Sequence, residues 1–195
     1  LRELLKIVSQ LIVVYDACVL YPAPLRDLLM WLALSDLFQA KWTDRIHQEW
    51  ISNVLKNRPD LTLNQLNRTK SLMNFHVRDA LVNNYEDLIP SLTLPDPNDR
   101  HILATAIKAK ASLIITFNLK DFPFSILRNY QVEAITPDEF ILELIDIDEK
   151  AVIQAATQQK NTLKNPPFTL EQYLESLTKQ NLIETAKLLK NLLDN

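Results

Sequence analysis

Three short stretches of this chain place a carboxylate where a strand ends or a helix begins. They are Ile12-Val13-Val14-Tyr15-Asp16, Leu94-Pro95-Asp96-Pro97-Asn98-Asp99, and Ile114-Ile115-Thr116-Phe117-Asn118-Leu119-Lys120-Asp121-Phe122. Glu49, on a helix expected between the first two, adds a further acid. In an open α/β sheet the carboxyl ends of the strands meet along one rim, and ligands bind there. Acids gathered at one rim repel each other unless a cation sits among them. A set of oxygen ligands selects hard cations such as Mg²⁺ or Mn²⁺. The chemistry these residues point to is metal-dependent phosphodiester hydrolysis, with Asp16, Glu49, Asp99 and Asp121 as its carboxylates.

Each acid taken alone has a plainer explanation. Asp16 could be a turn residue, and Asp96 and Asp99 are favoured at a helix N-terminus by the macrodipole. Glu49 could be a solvated helix acid, and Asp121 before Phe122-Pro123 a turn residue. The case rests on their combination, because Asp16, Asp99 and Asp121 all follow or face expected strand ends.

The elements that must position these acids alternate. The β-branched run 12–15 reads as a buried strand. Residues 25–33 read as a helix, 39–42 as a short strand, and Thr43 or Asp44 can cap a helix carrying Ile46, Trp50, Val54 and Leu55 at helical spacing. Residues 63–75 and 76–82 are expected to be helical. After Pro95, Asp96 can serve as N-cap with Pro97 as first helical residue. Strands follow at 113–116 and 132–135, and Thr136-Pro137-Asp138-Glu139 is a capping box. Strands alternating with helices imply parallel pairing in a three-layer α/β/α sandwich. The expected division is an N-terminal extension over 1–10, an α/β nuclease unit over 11–146 and a C-terminal helical extension over 147–195. The extension holds a break at Asn165-Pro166-Pro167, a start signal at Thr169-Leu170-Glu171-Gln172 and an apolar stripe of Leu182, Ile183, Ala186, Leu189 and Leu193. That stripe either packs on the α/β unit or receives a partner.

Composition narrows the classes. With 195 residues, 47% of them hydrophobic, the chain suits one domain and an appendage. No apolar run reaches the roughly 18 to 20 residues of a membrane span, and no secretory signal is expected. A single cysteine, Cys18, excludes an internal disulfide framework and fits a cytoplasmic protein. The net charge of −3 opposes bulk attraction to nucleic acid while leaving room for a local basic rim. The three histidines show no zinc-ligand spacing. The chain contains no glycine, where about 14 would be expected at average usage. Glycine-rich phosphate loops are therefore excluded, and asparagines such as Asn57, Asn83, Asn84, Asn118, Asn161 and Asn181 are expected at positive-φ positions.

Tyr15-Asp16-Ala17-Cys18-Val19-Leu20, the Glu49 helix, Asp99-Arg100-His101-Ile102-Leu103-Ala104-Thr105-Ala106-Ile107 and the 114–122 stretch resemble the PIN domain, most nearly the VapC-type toxins of toxin–antitoxin systems. The resemblance covers about residues 11–140, with the C-terminal helices similar to an extension carried by one subgroup. It implies a PIN-like fold and an endoribonuclease that uses Mg²⁺ or Mn²⁺ and leaves a 3′-hydroxyl and a 5′-phosphate. Asp16 and Asp99 match the acids that hold the metal, and Glu49 matches the helix acid that completes the site. Asp121 matches a peripheral carboxylate, with Asn118 orienting substrate or water. Thr116, Arg100 and Arg26 are the further substrate-binding candidates, and Arg45, His101 and Lys120 stand near the acids in sequence and could also meet substrate phosphates. Ala17 and Cys18 depart from the hydroxyl or amide residues that often follow the first acid. The resemblance also implies an RNA substrate and a cognate antitoxin, and admits a homodimer.

Two other readings compete. One is an interaction module that has lost catalysis and works through its helical tail; the other is a structure-specific DNA nuclease. A phosphotransferase or receiver-type aspartate is disfavoured, because Cys18 occupies the place of the second acid and the nearest upstream acid is Glu3.

Overall fold

A computed structural model describes residues 11–164 and 166–193. The extension expected over 1–10 lies outside those residues. Four strands, β1 (Ile12–Tyr15), β2 (Gln39–Lys41), β3 (Leu113–Ile115) and β4 (Glu133–Ile135), form one parallel sheet in the order β2-β1-β3-β4. The register pairs Val14 with Lys41 on one side and with Ile114 on the other. The strand order reverses between β1 and β3, which opens a crevice at their carboxyl ends. Asp16 follows β1 and Thr116 follows β3, so both stand at that crevice.

Helices fill the connections between the parallel strands. The first connection contains α1 (Ala17–Leu20) and α2 (Ala23–Ala33), with Pro24 in the first turn of α2 where a missing N–H costs nothing. The second contains α3 (Asp44–Asn57), α4 (Leu63–His76) and α5 (Arg100–Ala109), and α5 lies against β1 and β3. A short α6 (Phe124–Leu127) precedes β4. The long α7 (Pro137–Thr162) then packs on α2, and Phe140 meets Phe38 edge-on at 5.0 Å. The protein is a three-layer α/β/α sandwich followed by α8 (Leu170–Thr178) and α9 (Ile183–Leu193).

Caps explain the helix starts that matter. Thr43, rather than Asp44, caps α3 by accepting the Ile46 N–H at 3.1 Å. Thr136 and Glu139 form the expected capping box at α7, and Thr169 with Gln172 forms another at α8. Asp148 has non-helical angles and breaks α7, while its carboxylate accepts the Ala151 N–H at 3.0 Å and restarts the helix. The apolar stripe of the last helix packs against α7 and α8 through Leu182, Ala186 and Leu189, whereas Ile183 stays 46% exposed.

One expected helix is absent. Residues 77–82 are not helical: Val77 is extended, Asp79 takes φ of 59°, and the chain runs to the sheet edge. There Trp42 N–H donates to Ala80 and Val82 N–H to Trp42, so edge pairing wins over local helix propensity. Among the described residues, six adopt positive φ: Asp36, Asp79, Asn84, Lys110, Gln131 and Asn181. Only Asn84 and Asn181 come from the expected set. Asn57 and Asn161 lie within helices, and Asn118 has φ of −99°.

Candidate active site

The site is assembled at the β1–β3 crevice. Tyr15 is fully buried, stacks on Trp42 with ring centres 6.2 Å apart and donates its hydroxyl to the Leu29 carbonyl at 3.2 Å. This anchors the strand end immediately before Asp16, which is itself buried. Thr116 donates its hydroxyl to Asp16 Oδ2 at 2.7 Å, and its oxygen accepts the Asn118 N–H at 2.9 Å. Cys18 adds a second donor, with Sγ 3.1 Å from Asp16 Oδ2, and accepts the Phe117 N–H at 3.3 Å. Burial, then the Asp16 charge, push the Cys18 thiol up to about 12, so it stays protonated and can donate. A thiol thus fills the place where a hydroxyl or amide is commoner, and the hydrogen bond to the acid is kept.

Asp99 closes the turn Pro97–Asp99 that leads into α5. Asp96 accepts the Asn98 N–H at 2.8 Å and so performs the capping role, leaving the Asp99 side chain with none. Asp99 Oδ2 is buried without a hydrogen-bond partner among the described residues. Burial, followed by the charges of Asp16, Asp96, Asp121 and Glu49, pushes the Asp99 carboxyl up to about 6. The structure therefore gathers all four candidate acids into one field. It also adds Asp96, which sequence reasoning read only as a cap.

Glu49 arrives on α3 and is held from two sides. Arg45 Nε lies 3.2 Å from its Oε1 and His101 Nε2 lies 2.9 Å from the same oxygen. Arg45 also reaches the Asn98 carbonyl at 3.4 Å, tying α3 to the turn that carries Asp99. Asp121 ends the turn Leu119–Asp121, which Asn118 opens by accepting the Asp121 N–H at 3.0 Å. A shallow, polar pocket of about 370 Å³ runs along α3 beside Glu49, lined by Arg45, Gln48, Ser52 and Asn53.

The basic candidates separate. Arg100 stays half-buried at the start of α5, its Nε donating to the Pro97 carbonyl at 2.9 Å. Arg26 is turned into the fold: its guanidinium donates to the Leu20 carbonyl at 2.6 Å and lies 4.5 Å from the Trp50 ring centre. Those contacts satisfy the end of α1 and use the charge inside the fold, so Arg26 leaves the substrate-binding set. His47 is likewise internal, accepting from Trp50 Nε1 at 3.0 Å and pairing with Asn74 at 3.1 Å. A separate apolar cavity of about 670 Å³ lies between α2, α4 and the C-terminal helices, and none of the acids Asp16, Glu49, Asp99 or Asp121 lines it.

Whether this site suits a divalent ion can be judged from its donors. Among the described residues, no three His, Cys, Asp or Glu side chains are grouped tightly enough to hold an ion by themselves. Two carboxylates with solvent and a phosphate completing the shell are nonetheless a usual arrangement for Mg²⁺. The unpartnered Asp99 oxygen, with the neighbouring acids around it, offers a cation a negatively charged oxygen donor. The donor set fits a hard divalent ion shared by Asp16 and Asp99.

A parallel sheet with an acid after its first strand, facing acids from two helices and a turn, defines a PIN-like α/β fold. A PIN domain family model matches residues 12–120, and the chain belongs to the PIN-domain family. A model described as the VapC50 C-terminal domain matches residues 137–191. The chain is similar to a Mycobacterium tuberculosis (strain ATCC 25618 / H37Rv) protein named "Putative ribonuclease VapC50", with 38% identity over 96 residues. That stretch covers 49% of this chain and 56% of the relative, so the match spans little more than half the relative's length. No solved structure matches the chain.

Proposed function

We propose that this protein is a VapC-type endoribonuclease that hydrolyses RNA phosphodiester bonds with Mg²⁺ or Mn²⁺ and acts as the toxin of a toxin–antitoxin pair. The observation that carries this reading is the convergence of Asp16, Glu49, Asp96 and Asp121 on half-buried Asp99, whose Oδ2 is buried and unpartnered among the described residues. The name of the similar Mycobacterium protein supports the choice of RNA.

Asp16 and Asp99 would hold the ion, which when bound supplies Lewis-acid polarisation of the scissile phosphate and offsets the acids' charge. Thr116 and Cys18 fix Asp16 by donating to one oxygen, which leaves its other oxygen to face the crevice. Glu49 and Asp121 would accept a proton from the attacking water and orient it. Asn118 and Arg100 would line the approach for substrate, buried Thr116 acts through Asp16 rather than on substrate, and exposed Lys120 adds positive charge for backbone phosphates.

In this reading the nuclease unit spans 11–146 and the helical extension 147–195, a division that the break at Asp148 supports. A cognate antitoxin would cover the acidic rim with a basic or aromatic segment. No helix among the described residues is long and apolar enough to cross a membrane, and a cytoplasmic site of action suits an RNA substrate. The deciding experiment incubates purified protein with a mixed RNA pool and Mn²⁺ or Mg²⁺, using Asp16→Asn as control. Metal-dependent cleavage by the wild type alone is expected. Equal background from both proteins overturns the proposal.

A further inference from the structure

Resting on the nuclease reading above, we propose that His101 is a positioning residue that fixes Glu49 by Oε1 and leaves Oε2 as its working oxygen. His101 sits in the first turn of α5, is 1% exposed, and places Nε2 2.9 Å from Glu49 Oε1. A carboxylate oxygen only accepts, so Nε2 carries the proton in this contact. Nδ1 is buried with no partner among the described residues, and the ring is committed to a single hydrogen bond.

Stability alone does not account for such a residue. Ile102, Leu103, Ala104 and Ala106 beside it are apolar and buried, and an imidazole with an orphaned nitrogen costs about 1 to 3 kcal/mol there. The contact with Glu49 does account for it. A free glutamate side chain samples many rotamers, and fixing it costs up to about 2 kcal/mol of entropy. The other clamp, Arg45, is 41% exposed, so its ion pair is screened by water and holds geometry weakly. The buried histidine is therefore the rigid member, and it has a further consequence. His101 follows Asp99 by two residues on the same turn, so one helix start sets the spacing between Asp99 and Glu49. Sequence reasoning treated His101 as a candidate phosphate contact; its burial turns it from substrate to the neighbouring helix.

Replacement at position 101 tests the proposal. His101→Leu should lower kcat about 10- to 100-fold with KM little changed, as supporting hydrogen bonds to site residues typically do. His101→Gln places an amide nitrogen near the position of Nε2 and should restore most of the rate. His101→Asn reaches only the Nδ1 position and should not. In a Glu49→Ala background, His101→Leu should add no further loss, because the residue acts through Glu49. Fully additive losses in that background overturn the proposal, as does a His101→Gln enzyme as impaired as His101→Leu with its fold intact. A second readout needs no turnover: the His101 Nε2–H proton should give a slowly exchanging NMR signal that Glu49→Ala abolishes and Asp16→Asn keeps. A signal indifferent to Glu49→Ala overturns the contact. If the wild type instead cleaves no better than Asp16→Asn, the nuclease reading fails while the signal still decides the contact.

Discussion

Thr116 Oγ1 lies 2.7 Å from Asp16 Oδ2, joining the ends of two neighbouring strands that stand 100 residues apart in the chain. The bond exists because β1 pairs with β3 in parallel, Tyr15 beside Ile115, so that the next residue of each strand faces the same crevice. It holds a buried carboxylate in one rotamer. Hydrogen bonds to charged groups contribute roughly 1.5 to 3 kcal/mol, so this one both stabilises the fold and orients the acid.

Thr116→Val removes that donor while keeping the shape. Activity should fall about 10- to 100-fold, and Thr116→Ser should recover most of it. Cys18→Ser, which keeps a donor beside Asp16 Oδ2, should leave activity close to wild type. Initial rates on one RNA substrate at fixed Mn²⁺ check all three. A fully active Thr116→Val would show that Asp16 needs no such support.

Asp99 works against the metal-free fold at neutral pH. Its carboxyl titrates near 6 in the folded state against 3.8 for the ordinary value. The folded protein therefore binds the proton more readily, and the penalty from Asp99 is relieved as pH falls from 6 toward 3.8. Asp99→Asn should raise Tm at pH 7.5 in a chelator and abolish cleavage. Saturating Mn²⁺ should raise the wild-type Tm by about 5 to 10 °C at 100 times Kd and leave the variant unmoved. Thermal scans with and without Mn²⁺ check both halves. A wild type blind to millimolar Mn²⁺ would count against an ion shared by Asp16 and Asp99.

His47 carries a pH dependence of opposite sign. Burial lowers its pKa from 6.5 to about 4, and the neutral ring joins Trp50, Asn74 and Trp42 in one hydrogen-bonded chain. The unfolded chain takes up the proton first. The stability this ring contributes is whole above pH 6.5 and is lost as pH falls toward 4, to a limit of about 3 kcal/mol. Urea midpoints at pH 7.5 and pH 5 should differ more for the wild type than for His47→Gln. Equal differences would mean that the ring titrates normally.

Strands β1 and β3 were legible because they are short β-branched runs followed by an acid or a hydroxyl, and the Asp96, Thr136 and Thr169 caps announce themselves within three residues. What escaped the sequence depends on distant partners. His101 and Arg26 carry charge or proton donors in both cases, and only burial shows that one faces Glu49 and the other Leu20 and Trp50. The missing helix over 77–82 was decided by Trp42 at the sheet edge. The left-handed residues are governed by chain reversal rather than residue type: Lys110, Gln131 and Asn181 each end a helical turn just before the chain re-enters the core at Ala111, Val132 and Leu182. Without glycine, the fold places whatever side chain occurs there in that geometry, at roughly 1 to 2 kcal/mol each for residues other than Asn.

Asp138 makes the last helix part of the same structure. Its two carboxylate oxygens accept the backbone N–H groups of Glu184 at 3.0 Å and Thr185 at 2.9 Å, so a residue in the first turn of α7 caps α9 from 46 residues away. Thr136 and Glu139 already cap α7, which leaves the Asp138 side chain for α9. Both helix N-termini share its negative charge, a favourable placement for each dipole. Loss of a capping side chain costs about 0.5 to 2 kcal/mol, and here two orphaned N–H groups go with it. Asp138→Ala should therefore lower Tm by several degrees and raise hydrogen exchange in α9 before the sheet, while Asp138→Asn should fall between. Cleavage at a temperature where the variant stays folded should be unchanged, because the cap lies on α7 and α9 and not among the acids. Exchange that rises uniformly across the sheet would instead show that α9 and the α/β unit unfold together.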